Sequence, residues 1–100
     1  MDHENHEWGH VENLYSDFGV TVRRVYLDKG QVYSVKVDNG FSSSVSIVSG
    51  YGIVYDTHAS MEIKPGRVIV DGVRQRGEYE LKATSSRGLT FIETAARAIS

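Results

Sequence analysis

The sequence predicts a single all-β domain built as a jelly roll or a related barrel. Apolar and polar residues alternate with period two along much of the chain, a pattern typical of strands with one buried face. Turn signals interrupt the alternation about every ten residues, the spacing of short antiparallel strands in a sandwich or barrel. Ten glycines against one proline, together with six tyrosines, also favour strands joined by tight turns. We therefore expect about eight strands.

The alternation assigns the predicted strands to particular segments. The alternating segments are 20–27, 32–37, 44–49, 79–84 and 89–94, and residues 68–70 form a short continuous apolar run. The turn signals between them are Asp28-Lys29-Gly30, Asp38-Asn39-Gly40, Ser49-Gly50-Tyr51-Gly52, Lys64-Pro65-Gly66, Asp71-Gly72 and Ser85-Ser86-Arg87-Gly88. Segment 94–99 contains alanines that permit a turn or two of helix, and an extended tail is the alternative.

Size and charge exclude several functional classes. One hundred residues make one domain, and the absence of cysteine excludes a disulfide framework and a thiolate nucleophile. Eleven basic and thirteen acidic residues give a net charge of −2, which predicts no nucleic-acid or membrane partner. No stretch approaches the roughly 18 apolar residues of a membrane helix. The polar N-terminus resembles no secretory or mitochondrial signal, so we expect a cytoplasmic protein, or a virion protein if the chain is a phage structural protein.

The segment His6-Glu7-Trp8-Gly9-His10 matches the H-E-x-x-H pattern of zinc peptidases. That pattern requires a helix, which places both histidines on one face beside the glutamate base. Gly9 and the lack of helical periodicity argue against a helix here. We interpret the segment as part of a polar arm, in which His3, His6 and His10 could bind a metal adventitiously.

Other reactive residue types carry weaker signals. The serines that cluster in one predicted strand are Ser42, Ser43, Ser44, Ser46 and Ser49. They lack a G-x-S-x-G elbow and a base placed by spacing, since His58 lies in a separate polar turn, so we interpret them as solvated. Tyrosines at 26, 33, 51, 55 and 79 could stack on a ligand, although strand packing is commoner. Arg74, Arg76 and Arg87 could bind an anion or be scattered surface arginines.

Several motifs occur in an order that resembles the cupin family. The motifs are Trp8-Gly9 followed by Leu14, Val22-Arg23-Arg24-Val25 leading into Lys29-Gly30-Gln31, Ser34, Ile47-Val48-Ser49-Gly50, and Gly72-Val73-Arg74-Gln75-Arg76. They are similar to the cupin domain of type II mannose-6-phosphate isomerases. The resemblance implies a cupin-type double-stranded β-helix over residues 8–94, with a polar N-terminal arm at 1–7 and a tail or short helix at 95–100.

The metal-ligand positions of that family are substituted. The resemblance implies a divalent metal held inside the barrel by two or three histidines and a glutamate. On an ungapped fit, the histidine run falls on Asp38, Asn39 and Gly40, the glutamate falls on Ser43, and the last histidine falls on Gln75. One remaining carboxylate cannot hold zinc by itself. We therefore expect no metal and no cofactor.

The same fit predicts a polar mouth to the barrel. Its lining residues would be Lys36, Asp38, Ser43, Gln75 and Arg76. Such a set can hydrogen-bond a sugar or an anionic small molecule without a metal, or it can simply cap a barrel that binds nothing.

We expect a non-catalytic cupin that serves as a structural or interaction module. The resemblance implies a homodimer formed through sheet edges, and an ordered polar arm would suggest packing in a larger assembly, such as an accessory or decoration protein of a phage capsid. The alternatives are a sugar-phosphate isomerase or epimerase and a metal-free carbohydrate-binding module.

Overall fold

Two antiparallel β-sheets make up the structure, a computed structural model that describes residues 2–36, 41–55, 60–71 and 78–97. These residues form ten strands and no helix, which confirms the predicted all-β class. The strands are β1 (Asp2–His6), β2 (Gly9–Asp17), β3 (Val20–Leu27), β4 (Val32–Lys36), β5 (Phe41–Gly50), β6 (Gly52–Tyr55), β7 (Ser60–Ile63), β8 (Val68–Asp71), β9 (Glu78–Ala83) and β10 (Leu89–Arg97). The count exceeds the expected eight partly because β1 and β7 are edge strands with mostly exposed side chains, whose alternation is weak.

The two sheets enclose one hydrophobic core. The large sheet has six strands in the order β1-β2-β3-β10-β5-β8, and the small sheet has four in the order β4-β9-β6-β7. The buried apolar residues are Val11, Val25, Leu27, Val35, Val45, Ile47, Ile63, Tyr79, Leu81, Ala83, Leu89 and Phe91. They come from both sheets at alternate positions along each strand, as expected for two sheets packed face to face.

The barrel has two different ends. The turn end carries the connections at 28–31, 64–67 and 84–88. The other end, here called the mouth, is where β4, β6 and β8 finish, at Lys36, Tyr55 and Asp71. The described residues contain no helix of the length and hydropathy needed to cross a membrane.

The N-terminal arm is an edge strand of the large sheet. Strand β1 pairs with β2 from Asp2 opposite Asn13 to His6 opposite Gly9. The hairpin turn requires glycine, because Gly9 has φ +148° and a Cβ there would lie 1.8 Å from the Tyr26 carbonyl oxygen. Backbone pairing within the same chain therefore makes the arm part of the large sheet.

The end of the chain is extended rather than helical as far as the structure describes it. Strand β10 continues to Arg97, between β3 and β5, so position 94 lies inside a strand. Ala95 pairs with Thr21 on one side and with Ser43 on the other. The helical alternative for 94–99 is wrong over 94–97 because ladder hydrogen bonds on both sides outweigh the weak helix propensity of alanine.

Candidate functional site

A polar row crosses the inner face of the large sheet. Asn13 on β2 pairs with Arg23 on β3, and Arg23 pairs with Glu93 on β10. On its other side Glu93 pairs with Val45 on β5. Directly opposed residues of antiparallel strands share a face. Val45 is fully buried and Glu93 is only 7% exposed, so this row faces the core.

Three side chains form a closed hydrogen-bonded cluster in this row. Arg23 Nη2 donates to Glu93 Oε1, and the Tyr33 hydroxyl donates to the same carboxylate oxygen at 3.0 Å. Arg23 Nη2 also donates to the Tyr33 hydroxyl oxygen at 3.1 Å. Tyr33 belongs to β4 of the small sheet, whereas Arg23 and Glu93 belong to the large sheet. The cluster therefore joins the two sheets across the interior of the barrel.

Electrostatics fix the protonation of two members of the cluster. Burial lowers the pKa of Arg23, but the nearby charge of Glu93 and its hydrogen bond outweigh burial, so the net shift is upward. Burial raises the pKa of the Tyr33 hydroxyl well above its ordinary value, and the charge of Glu93 raises it further. Arg23 thus remains a cation and Tyr33 remains a neutral donor at physiological pH.

Aromatic packing holds the Tyr33 ring in place. Trp8 contacts it in an edge-on arrangement with ring centroids 5.3 Å apart. Phe91 contacts it in the same manner at 5.5 Å. Because edge-on aromatic pairs have preferred geometries, these contacts direct the hydroxyl toward Glu93.

Asn13 completes the polar row at the last regular position before a β-bulge. The β2–β3 register shifts between Asn13 and Tyr15, which leaves Asn13 opposite Arg23 and Tyr15 opposite Val22. The Oδ1 atom of Asn13 is buried and has no hydrogen-bond partner among the described residues. This oxygen is therefore an acceptor without a described donor. It belongs to the residue that pairs with Arg23, whereas Arg23, Tyr33 and Glu93 bond to one another.

The structure places only part of the sequence-predicted mouth. Ser43 is 6% exposed, so its interpretation as a solvated serine is wrong. It lies on β5 between Ala95 and Asp71 in the sheet register. Lys36 is the last residue of β4 and pairs with Glu78, and its side chain is not described. Asp38, Gln75 and Arg76 lie outside the described residues. The structure therefore does not bring these five residues together as a described site.

The described residues do not fit the metal that the resemblance implies. Ser43, at the position of the family's glutamate, offers a buried hydroxyl, which is a poor ligand for a divalent cation. Glu93 is the buried carboxylate of the described part, and Arg23 and Tyr33 already bond to it. No three of the described histidines, aspartates and glutamates lie close enough to hold a metal ion together.

The H-E-x-x-H segment forms a hairpin in place of a helix. His6 ends β1, and His10 lies in β2 beyond the turn. The His6 ring stacks on Trp8 with centroids 4.5 Å apart, and the His10 ring stacks on Tyr26 at 5.1 Å. The two imidazoles therefore lack the helical arrangement that gives the peptidase pattern its chemistry.

Sequence reasoning did not single out Arg23, Glu93 or Asn13 as site residues. Glu93 nevertheless alternates with Thr94 and Ile92, on the side shared by Leu89 and Phe91. A carboxylate on the apolar side of a strand was the available signal, because a buried charge requires a partner.

Comparisons with known proteins identify the fold. No model of a known protein family and no curated protein sequence matches the chain. KdgF from Halomonas sp. superimposes with a TM-score of 0.78 at 14% identity, covering 97% of this chain and 89% of that one. The cupin domain of Cnp3 from Schizosaccharomyces pombe superimposes with a TM-score of 0.72 at 16% identity, covering 88% of this chain and 64% of that one. A sugar phosphate isomerase of the cupin superfamily from Silicibacter pomeroyi superimposes with a TM-score of 0.75 at 14% identity, covering 89% of this chain and 59% of that one.

The chain has the cupin-type double-stranded β-helix fold, as the sequence predicted. It spans about three fifths of the length of the Cnp3 domain and of the isomerase. Solved structures with this fold include some described as enzymes and others described as transcriptional regulators. The fold alone therefore does not select a function.

Proposed function

We propose that this protein is a non-catalytic cupin-fold module with a structural or interaction role, and that it forms a homodimer. The observation that carries the non-catalytic role is the hydrogen bonding of the Glu93 carboxylate. General acid-base chemistry needs a carboxyl group that can exchange a proton with a substrate. Both Arg23 and Tyr33 donate to the same oxygen of Glu93, which commits this carboxylate to an internal cluster.

The packing around the cluster supports the same conclusion. Val25, Leu27, Leu81 and Phe91 have no exposed area, and they fill the space between the sheets. Protein interiors are close-packed, so a ligand at this level would have to displace these side chains. The described interior thus serves to hold the two sheets together.

The outer face of the large sheet supports self-association. One row across this face runs Glu12, Arg24, Ile92, Ser46 and Val68. The next row toward the mouth runs Tyr15, Val22, Thr94 and Ser44. No described strand of the small sheet pairs with or covers this face, since the small sheet packs on the inner side. Apart from Tyr15 and the Glu12–Arg24 pair, the residues of these rows have small hydroxyl or β-branched side chains.

Charge and area favour a second copy of this chain as the occupant. The charged residues of those rows, Glu12 and Arg24, pair with each other at 2.7 Å and 3.2 Å, so these two rows carry no net charge that would repel a second copy. The six strands of the large sheet have four to ten residues each. At their mean length they present a face of roughly 25 by 30 Å. The resulting area of about 750 Å² approaches the roughly 800 Å² that each partner of a stable complex buries. Tyr15 and Val68, 47% and 53% exposed, would be covered.

Light scattering after size-exclusion chromatography tests this dimer. The wild-type protein should elute at twice the chain mass. Thr94→Lys places a charge at the centre of the face and should yield monomers with unchanged circular dichroism. Ser34→Lys, on an exposed position of the small sheet, is the matched control and should remain dimeric. A wild-type monomer at all concentrations, or a dimer in Thr94→Lys, would refute the interface.

A module of this kind would suit an accessory subunit of a larger assembly, such as a capsid decoration protein. The sugar-phosphate isomerase alternative draws on the resemblance and on the enzyme from Silicibacter pomeroyi. It would require a metal or an electrophile, supplied from groups other than the Arg23, Tyr33 and Glu93 cluster.

A further inference from the structure

Two concavities meet at Tyr51 on the turn end of the barrel. One has a volume of about 600 Å³ and is lined by Tyr51 together with Glu62, Lys64 and Thr84, among others. The other, of about 410 Å³, is lined by Tyr51 with Ser85 and Arg87, among others. Both volumes fall within the range of small-molecule sites. Tyr51 is the aromatic residue common to the two.

The Tyr51 side chain is exposed while its backbone is fixed. The residue is 58% exposed. Its backbone N–H donates to Ser85 Oγ at 3.2 Å, and its carbonyl accepts from the Thr84 and Ser85 amides at 3.0 and 3.3 Å. Ser85 Oγ in turn donates to the Gly88 carbonyl. An exposed aromatic ring on a fixed backbone loses little entropy when it binds a ligand.

The neighbouring turns are packed too closely to move apart independently. Gly50 has φ +87°, and a Cβ there would lie 2.1 Å from the Gly88 carbonyl oxygen. The Tyr26 hydroxyl donates to the Arg87 carbonyl at 3.0 Å, which ties the 85–88 turn to β3. The turns that border the two concavities are therefore held in fixed positions, with Tyr51 lining both.

We infer that this turn end, centred on Tyr51, binds a short oligosaccharide. A tyrosine ring offers an apolar face that packs against the C–H face of a pyranose. Glu62, Lys64 and Thr84 supply acceptors and donors on one side, and Ser85 and Arg87 supply them on the other. This mixture suits sugar hydroxyls, which both donate and accept. Two concavities that share Tyr51 provide room for at least two linked sugar units.

The inferred site is tested separately from the proposed dimer. It lies at the turn end and reaches the large sheet only at the end of β5, where Ser49 pairs with Thr90, whereas the two rows proposed for the dimer lie nearer the mouth. The dimer is tested by its mass and the sugar site by ligand binding, so failure of one proposal does not refute the other.

Nitrogen-15 NMR titration of the full chain with maltotriose, cellotriose and chitotriose tests the inference. At least one of these sugars should cause saturable shifts of the amides of Tyr51, Thr84, Ser85 and Arg87. Tyr51→Ala should weaken that binding by about tenfold or more, and Tyr51→Phe, which keeps the ring, should retain it. The spectra of both variants report whether they fold.

Tyr55→Ala is the matched control, because Tyr55 is also an exposed tyrosine but ends β6 at the mouth, away from the inferred site. It should bind as the wild type does. Absence of saturable shifts with all three sugars, equal affinity in Tyr51→Ala, or shifts confined to residues at the mouth would each overturn the inference.

Discussion

Arg23 on β3 and Glu93 on β10 lie directly opposite each other, and their side chains form an ion pair on the inner face of the large sheet. Glu93 is almost fully buried, whereas 37% of the Arg23 side chain remains exposed. Removing a carboxylate from water costs several kcal/mol, which only close partners offset. Arg23 and Tyr33 together provide that compensation, so the cluster keeps its three members together.

Glu93→Gln should destabilise the fold because it removes the charge that Arg23 faces and weakens two hydrogen bonds. The expected loss in the free energy of unfolding is about 1–3 kcal/mol, reduced from the value for a fully buried pair by the exposure of Arg23. Urea denaturation measures it.

Glu12→Gln is the matched control, since Glu12 pairs with the exposed Arg24 on the opposite face of the same sheet. It should have a much smaller effect, as surface ion pairs contribute little. Equal losses in the free energy of unfolding would show that the buried pair of Glu93 and Arg23 contributes no more than a surface ion pair.

The stability of the protein should fall at alkaline pH in a manner that depends on Tyr33. The pKa of Tyr33 is raised in the folded state by burial and by the charge of Glu93. As pH rises above the ordinary tyrosine pKa of about 10, the unfolded chain releases this proton first, so unfolding becomes easier. Below that pH the contribution of Tyr33 is fully present.

Urea denaturation between about pH 8 and about pH 11 compares wild type with Tyr33→Phe. The variant should be less stable at pH 8, and the difference should shrink as pH rises through 10, because the variant has no hydroxyl to ionise. Parallel curves for the two proteins would contradict the assigned environment of Tyr33.

Gly9→Ala should loosen the N-terminal hairpin. An alanine Cβ would overlap the Tyr26 carbonyl at 1.8 Å, so β1 would have to detach from β2 or the sheet would have to distort. Hydrogen exchange of the β1 and β2 amides should accelerate. Gly30→Ala is the control: Gly30 has φ +82° but nothing within 4 Å of an added Cβ, so only backbone strain of about 1–2 kcal/mol applies. Equal exchange rates in β1 for both variants would refute the role of Gly9.

Sequence periodicity predicted the fold class because alternation survives in the strands that line the core. Leu89, Phe91 and Glu93 alternate as the core face of β10 requires. It did not predict the cluster, because the partners of Glu93 lie 60 and 70 residues away in the chain, at Tyr33 and Arg23. Only the strand order brings these positions together.

Local signals were least informative where the neighbours decide the conformation. The alanines at 95 and 96 suggest helix in isolation, yet they occupy a strand with partners on both sides. The polar residues of β1 show little strand pattern, yet backbone pairing with β2 orders them. The second concavity at Tyr51 likewise depends on two turns, at 49–52 and 84–88, that are distant in sequence.

Elemental analysis of the purified, untagged protein tests most directly whether the barrel functions without a metal. The proposed non-catalytic role predicts no stoichiometric zinc, manganese or iron, and the same composition in Asp38→Ala as in wild type. Metal lost only on changing His6 and His10 would indicate adventitious binding by the arm, which leaves the role intact. One metal ion per chain that disappears in Asp38→Ala would contradict the proposal and restore the enzymatic alternative.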